Sequence, residues 1–307
     1  MSALAVERPG LLTTIQDAGR WGWQHLGVPV SGWMDDWSAP LANRLAGNDE
    51  DAAVLEITLI GPTLRALGPV VIAVTGAVFD VTVGSRRFRS PFVTRADDGD
   101  AIAFSTRSFG TRAYLSCQGG FDVAAVLGSA STDVRAGLGG RRLQARDTIA
   151  VRAAVARKVA TRELDPQAWL FEPVLGVLPG PDDKRWTDDA LDVLTRATYT
   201  VTSASDRTGY RLDGPSLPAR GGELISGPVA TGTLQVPPSG HPILLMADCQ
   251  TTGGYARLGA LSDADRAVAG QLGPGDRCTF ERCTWAEAAT RSVIRRLVLD
   301  AVVESAQ

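Results

Sequence analysis

The chain has 307 residues, 44% of them apolar, with 33 Gly and 17 Pro. That length predicts two lobes, or a barrel with an elaborated second layer, and the turn-rich composition favours β-structure over a helical bundle. A net charge of −3, with arginines scattered among acids, excludes a nucleic-acid footprint.

The N-terminus Met1-Ser-Ala-Leu-Ala-Val-Glu-Arg8 lacks a signal peptide's apolar core, and no window reaches the roughly 18 apolar residues of a membrane span, so a cytoplasmic protein is expected. The cysteines Cys117, Cys249, Cys278 and Cys283 form no CxxC pair, and only His25 and His241 accompany them. No metal site is therefore expected. Lys158 and Lys184 lie in charged, loop-like surroundings and give little support to Schiff-base chemistry.

Along the chain, Leu55–Ile60, Val70–Val74 and Val78–Val83 are short β-branched runs that predict strands. Three segments, Gly99-Asp100 to Phe104, Arg146-Asp147 to Val151 and Gly275-Asp276 to Phe280, each set an Asp turn before an alternating strand. The recurrence predicts barrel-like sheets, one per half. Trp37, Leu41 and Leu45 share a face of a predicted helix that begins after Asp35-Asp36 and stops at Gly47. Thr187–Thr195 and Ser262–Gln271 are shorter helix candidates. Thr284-Trp-Ala-Glu287 is a capping box opening a C-terminal helix, with Trp285, Val293 and Leu297 available for packing. The charged run from Ala153 to Pro166, followed by Phe171-Glu-Pro173, reads as a connection between lobes. The expected division is 1–165, an N-terminal β-rich lobe, and 166–307, a C-terminal β-barrel lobe with its helix; strand exchange between lobes is allowed.

Four segments concentrate polar chemistry. Leu11–Arg20 packs hydroxyls, an amide, a carboxylate and a guanidinium together; either it is a turn stapled by an Asp17–Arg20 ion pair or it carries a site. The glycine-punctuated loop Gly27–Asp35 leads into the helix, so Asp35 is either an N-cap or a ligand group. Ser205–Leu212 contains Asp206 and Arg207, and reads either as a turn with a surface ion pair or as a bidentate grip. The richest is Leu234–Tyr255, where the apolar run Ile243–Ala247 delivers Asp248, Gln250, Thr251 and Thr252 to a loop containing Gly253-Gly254. The phosphate loop GxxxxGK[ST], the GxSxG elbow and a biotin-attachment sequence are absent, so ATP or a carried carboxyl group is expected to come from elsewhere.

The stretches Gly10–Arg20, Gly27–Asp35, Leu41–Asn48, Leu55-Glu-Ile-Thr58, Ser205–Leu212, Gly232-Thr-Leu-Gln-Val-Pro-Pro238 and Asp248–Tyr255, in this order, resemble the allophanate hydrolase subunit 2 family. That family takes in 5-oxoprolinase and urea carboxylase components. The resemblance implies a mainly β fold of cyclophilin-like β-barrel architecture, in two lobes with a few peripheral helices. It implies a subunit 1 type partner, like the B component of 5-oxoprolinase, and a lactam-utilisation protein, like its A component. With them the chain would be a subunit that opens 5-oxo-L-proline to L-glutamate, using ATP at the level of the complex.

Chemistry placed on the family motifs makes Asp17, Asp35 and Asp248 candidate bases. Gln16, Gln250, Thr251 and Thr252 are candidate donors to the amide or phosphate, and Arg20 or Arg207 a carboxylate grip. Thr14, Asn43, Asp206, Gln235 and Tyr255 complete the expected substrate-binding set. Two alternatives stand beside this reading: a carboxyltransferase component of a urea carboxylase-like system, working with biotin, or a regulatory antagonist of a histidine-kinase inhibitor.

Overall fold

The computed structural model describes residues 2–153, 159–165, 172–182, 189–218 and 225–306. Parts of the predicted inter-lobe connection (154–158 and 166–171), Lys158, Lys184 and the start of the Thr187–Thr195 helix lie outside the described residues. The chain groups into two compact units: Met1–Arg20 with Ser31–Leu170 and Val298–Gln307, and Trp21–Val30 with Phe171–Leu297.

The first unit holds strands β1 (Ser2–Arg8), β2 (Leu12–Gln16), β3 (Val54–Thr58), β4 (Thr63–Leu67), β5 (Val70–Val83), β6 (Arg86–Arg89), β7 (Phe92–Ala96), β8 (Ala101–Cys117), β9 (Thr148–Val151) and β10 (Arg162–Glu163). They form a branched sheet of order β10-β7-β5-β8-β4-β1-β9, with β3 joining β2 to β8 and β6 attached to β5. The two runs Val70–Val74 and Val78–Val83, predicted as separate strands, are one 14-residue strand. Gly76, at φ +78°, lets that strand bend, and the β5–β8 register slips between Gly76 and Val81. The core is aliphatic and aromatic, with Leu55, Ile57, Ile72, Val74, Phe79, Phe92, Leu115 and Phe121 fully enclosed. Helix α1 (Ser38–Ala46) is buried along most of its length, and its Ala39 and Ala42 pack with Val54 and Tyr114.

The second unit carries β11 (Val174–Pro179), β12 (Thr198–Val201), β13 (Gly209–Asp213), β14 (Gly227–Pro228), β15 (Thr233–Val236), β16 (Ile243–Leu245), β17 (Thr252–Gly253), β18 (Ala256–Leu261) and β19 (Arg277–Arg282). Seven of these close into a barrel, β11-β18-β15-β16-β13-β12-β19, while β14 and β17 make a separate ribbon. Antiparallel neighbours alternate in direction, so a ring of odd strand number must contain a parallel pair, and here it is β11 with β19. Helix α2 (Ala190–Arg196), helix α3 (Asp263–Gly270) and the start of helix α4 (Trp285–Ala306) belong to this unit. The mainly β, barrel-containing architecture with few helices agrees with the expectation from sequence. One detail differs: the first unit is an open branched sheet, not a second barrel, because the long β5 and β8 pair along their length and branch at β3 and β6 instead of closing. Among the described residues no helix is long and apolar enough to cross a membrane.

The three Asp turns share one construction. In each, the residue before the Asp has positive φ: Gly99 +83°, Arg146 +77° and Gly275 +91°. The Asp carboxylate then accepts the N–H three residues back, from Asp97 to Asp100 (2.9 Å), Gln144 to Asp147 (2.7 Å) and Gly273 to Asp276 (2.8 Å). The carboxylate thus closes a tight turn at the mouth of β8, β9 and β19.

Arg141 adds two hydrogen bonds to Asp147, of 2.8 and 2.7 Å, and holds its carboxyl below the ordinary carboxylate range. A carboxyl depressed in the folded state contributes stability that is complete above its unfolded value, about 3.9, and is lost as pH falls through the lower folded value. In unfolding titrations, Asp147→Asn is therefore expected to be less stable than wild type at neutral pH, with the gap closing in acid. A gap independent of pH would contradict the assignment.

Helix starts follow the predicted chemistry. The Ser262 side chain accepts the Asp265 N–H at the head of α3, and Thr284 and Glu287 exchange bonds as a capping box at α4. The packing prediction for α4 differs from what is seen. Ala288, Leu299 and Val303 are its buried apolar residues, while Trp285, Val293 and Leu297 face outward.

Candidate functional site

In the first unit, β2 runs into a tight turn that places Gln16, Asp17 and Arg20 against the loop 126–133. Asp17 does not pair with Arg20. Its carboxylate accepts from Gly19 N (2.9 Å), Ser129 Oγ (2.5 Å), Ser131 Oγ (2.5 Å) and Ala130 N (2.6 Å). Arg20, fully buried, donates through Nε to the Val126 carbonyl (2.9 Å) and through Nη2 to the Ser131 carbonyl (2.6 Å). The Gln16 amide donates to Thr14 Oγ1 (3.0 Å) and to the Thr132 carbonyl (2.9 Å). Gln16 Oε1 and Arg20 Nη1 are buried with no hydrogen-bond partner, which leaves this cluster with unused polar capacity. Gly139 must be glycine here: a Cβ would lie 2.0 Å from the Ser131 carbonyl and 2.5 Å from Arg20 Nη2. Leu127, a non-glycine residue at φ +53°, is a strained position in the same loop.

A second buried network sits under the loop that enters α1. Glu56 Oε2 accepts from Met34 N and from the Tyr114 hydroxyl, both at 2.9 Å, while Tyr114 in turn accepts from Asp35 N (2.8 Å). Arg112 lies 3.9 Å from Glu56. Burial, then the charges of Glu56 and Asp35, push the Tyr114 phenol well above its usual value, so it stays a neutral donor. Asp35 works as a helix cap, its carboxylate accepting from Trp37 N (3.0 Å), Ser38 N (2.8 Å) and Ser38 Oγ (2.6 Å). The Trp33 N–H to Asp17 carbonyl bond, 3.1 Å, joins this loop to the first cluster. Asn43 bridges the Glu50 and Ala52 carbonyls and accepts from Ser116, so it ties α1 to its following turn and to β8. A cavity of about 460 Å³ opens beside Asp17, lined among others by Asn48, Asp49, Asp51, Gly128 and Arg152.

In the second unit, Arg207 and Asp248 meet as a buried bidentate pair, Nε to Oδ2 at 2.8 Å and Nη2 to Oδ1 at 3.0 Å. The cause is register. Antiparallel β13 and β16 set Gly209 opposite Leu245, so the residues just outside each strand end arrive together, and Asp248 N also donates to the Arg207 carbonyl. Cys249, beside them, is a thiol pushed up to about 11, chiefly by burial. Asp206 caps its own turn through Thr208 N (2.8 Å) in an exposed position. Gln235 is buried under Gly253, where a Cβ would come within 2.4 Å of its Nε2. Beyond the Asp248 anchor, Gln250, Thr252 and Tyr255 are exposed and Thr251 is half-buried. Arg257 braces that loop, donating to Asp182 (2.9 Å) and to the Pro228 carbonyl (3.0 Å).

The predicted residues thus fall into two kinds. Thr14, Gln16, Asp17, Arg20, Asp35, Asn43, Arg207, Gln235 and Asp248 are buried or engaged in holding loops, while Asp206, Gln250, Thr251, Thr252 and Tyr255 lie at or near the surface. Sequence reasoning passed over Ser129, Ser131, Glu56 and Tyr114. The hydroxyl-rich run Gly128-Ser-Ala-Ser-Thr-Asp133 and the lone carboxylate inside the strand Leu55-Glu-Ile-Thr58 were signals that could have found them.

This set of loops and barrel coincides with a known domain. Residues 26–282 match the model of the carboxyltransferase domain, subdomain A and B. The chain belongs to the carboxyltransferase-domain family. Among curated members it is 33% identical to the C component of 5-oxoprolinase from Escherichia coli, over 93% of each chain. It is 31% identical to urea amidolyase of Lachancea kluyveri, covering 91% of this chain but 17% of that one. Among solved members, the protein TTHA0988 superposes with a TM-score of 0.83 at 38% identity, and this chain spans 55% of its length. In the carboxyltransferase domain described here, Asp248 and the loop it anchors lie inside the matched range, and Asp17 and Arg20 lie just before it.

Proposed function

We propose that the chain is the C-type component of a cytoplasmic, ATP-dependent 5-oxoprolinase, which hydrolyses 5-oxo-L-proline to L-glutamate with B-like and A-like partner proteins. The observation that carries this reading is the end-to-end likeness to the E. coli component, 93% of both chains, against a small fraction of the urea amidolyase. The exposed loop Gln250–Tyr255 fits it chemically. A lactam presents a neutral amide N–H and C=O, and a carboxamide, hydroxyls and a phenol complement these without charge.

A lactam carbonyl is a poor electrophile. In the proposed reaction its oxygen attacks the γ-phosphorus of ATP and ADP leaves. Water then adds to the ring carbon, the C–N bond breaks, and the nitrogen takes a proton to become the α-amino group. A second water releases phosphate from the resulting acyl phosphate. We assign to Gln250, Thr251, Thr252 and Tyr255 the contacts to the ring amide, where donors aimed at the developing negative charge act most. Asp17, Asp35 and Asp248 are positioning residues in this scheme, since their oxygens are occupied by loop donors. The partners supply the nucleotide site and the grip on the substrate carboxylate.

The test is co-expression with the two partner types and measurement of glutamate released from 5-oxoproline with and without ATP. Gln250→Ala is expected to lower turnover at least about 100-fold with the complex intact, on the scale of losing one oxyanion donor. Wild-type turnover in that variant would remove the loop from the site. The matched family favours one other reading, carboxyl transfer to a urea-like amide from biotin carried elsewhere. An intact complex that releases no glutamate but carboxylates such an amide would establish it.

A further inference from the structure

We infer that Gln235 and Arg257 form a platform that sets the height of the β14–β17 ribbon above the barrel, and that Arg257 is thereby a positioning residue for Thr251 and Thr252. The ribbon has only two residue pairs, Gly227 with Gly253 and Pro228 with Thr252, extended by a bond from Val229 N to the Thr251 carbonyl (3.0 Å). So short a ribbon does not hold its own shape in water and needs a surface to rest on.

The barrel supplies that surface pair for pair. Gln235 on β15 lies opposite Arg257 on β18. The two paired glycines of the ribbon sit against them: a Cβ on Gly253 would lie 2.4 Å from Gln235 Nε2, and one on Gly227 3.3 Å from Arg257 Nη1. Neither glycine has a positive φ, so the missing side chain serves the close approach and not the backbone conformation. Arg257 then fastens what it supports. Its Nη1 donates to the Pro228 carbonyl (3.0 Å), while Nε and Nη2 donate to the Asp182 carboxylate at 2.9 and 3.1 Å. Asp182 also accepts the backbone N–H of Arg257 (2.9 Å), so the guanidinium is aimed from below before it meets the ribbon. Gln235 Nε2 reaches the Tyr255 carbonyl at 3.4 Å, which ties the far end of the same loop to the platform.

The positioning role rests on the reading of Thr251 and Thr252 as substrate contacts, and the first readout is independent of that reading. In Arg257→Ala, amide exchange at Val229 is expected to quicken about tenfold or more, the equivalent of one hydrogen bond from a charged donor, while Leu212 in the barrel keeps its rate. In the assembled complex the same variant is expected to lower turnover about tenfold to a hundredfold, the scale of a misplaced substrate contact, and millimolar guanidinium to restore part of it. Arg257→Lys should stay low, because one ammonium cannot take Asp182 and Pro228 together. Gly253→Ala, which keeps Arg257 but has no room above Gln235, should lower turnover as well. Unchanged exchange at Val229 in Arg257→Ala would overturn the platform. Faster exchange with wild-type turnover, or full turnover in Gly253→Ala, would overturn the positioning role. If the wild-type complex releases no glutamate while Val229 still responds to Arg257→Ala, the platform stands and the lactam reading falls.

Discussion

Asp248→Ala is expected to destabilise the barrel unit by about 3–5 kcal/mol, the cost of breaking a buried ion pair while its other member stays. Arg207 and Asp248 are both almost wholly buried and share parallel hydrogen bonds of 2.8 and 3.0 Å, so the alanine strips the guanidinium of its bidentate partner. Substituting both, as Arg207→Met with Asp248→Leu, is expected to recover most of that stability, because apolar groups of similar volume leave no uncompensated charge. Urea unfolding of the three proteins decides the matter. A single-variant loss under about 1 kcal/mol, or a double variant no better than Asp248→Ala, would show that the pair does not hold the loop. Function separates from stability in the double variant: it folds, yet the Gln250–Tyr255 loop has lost its anchor, so turnover in the complex should remain low.

Asp17→Ala is expected to cost about 3 kcal/mol and to loosen the loop 126–132. Gly19, Ser129, Ala130 and Ser131 all donate to this one carboxylate, and hydrogen bonds to a charged acceptor contribute about 1.5–3 kcal/mol each before the loop relaxes towards water. Amide exchange at Ala130 and Ser131 should accelerate about a hundredfold, the equivalent of that loss. Ser129→Ala, which removes one donor and keeps the carboxylate, should cost about 1 kcal/mol. Equal effects from the two substitutions would mean that packing, not the carboxylate, orders the loop.

The plain reading of Leu11–Arg20 as a turn stapled by its own ion pair illustrates what local sequence cannot supply. Asp17 and Arg20 are three residues apart, but each finds partners in the loop 126–133, more than 100 residues away. Nothing in either segment identifies the other. The same holds for Arg207 and Asp248, read as two separate site groups until the β13–β16 register sets them face to face. Glu56 was hidden for a different reason: in sequence it is one polar residue in a strand, and only the enclosed position between Met34, Tyr114 and Arg112 distinguishes it from an outward-facing one.

Local chemistry, by contrast, was legible. Three Asp turns, two helix caps and a C-terminal capping box all form where their residue types predict, because each involves partners within four residues and little entropy of closure. Family membership was legible for a related reason, since ordered motifs over most of the chain are carried by residue identity. The tertiary structure alone decided which strands close. An odd ring of strands with one parallel pair, beside an open branched sheet, depends on pairings between distant segments whose alternating patterns are alike. It also decided which polar groups are spent on holding loops and which remain to meet a substrate, because that choice is made by the neighbour each side chain finds.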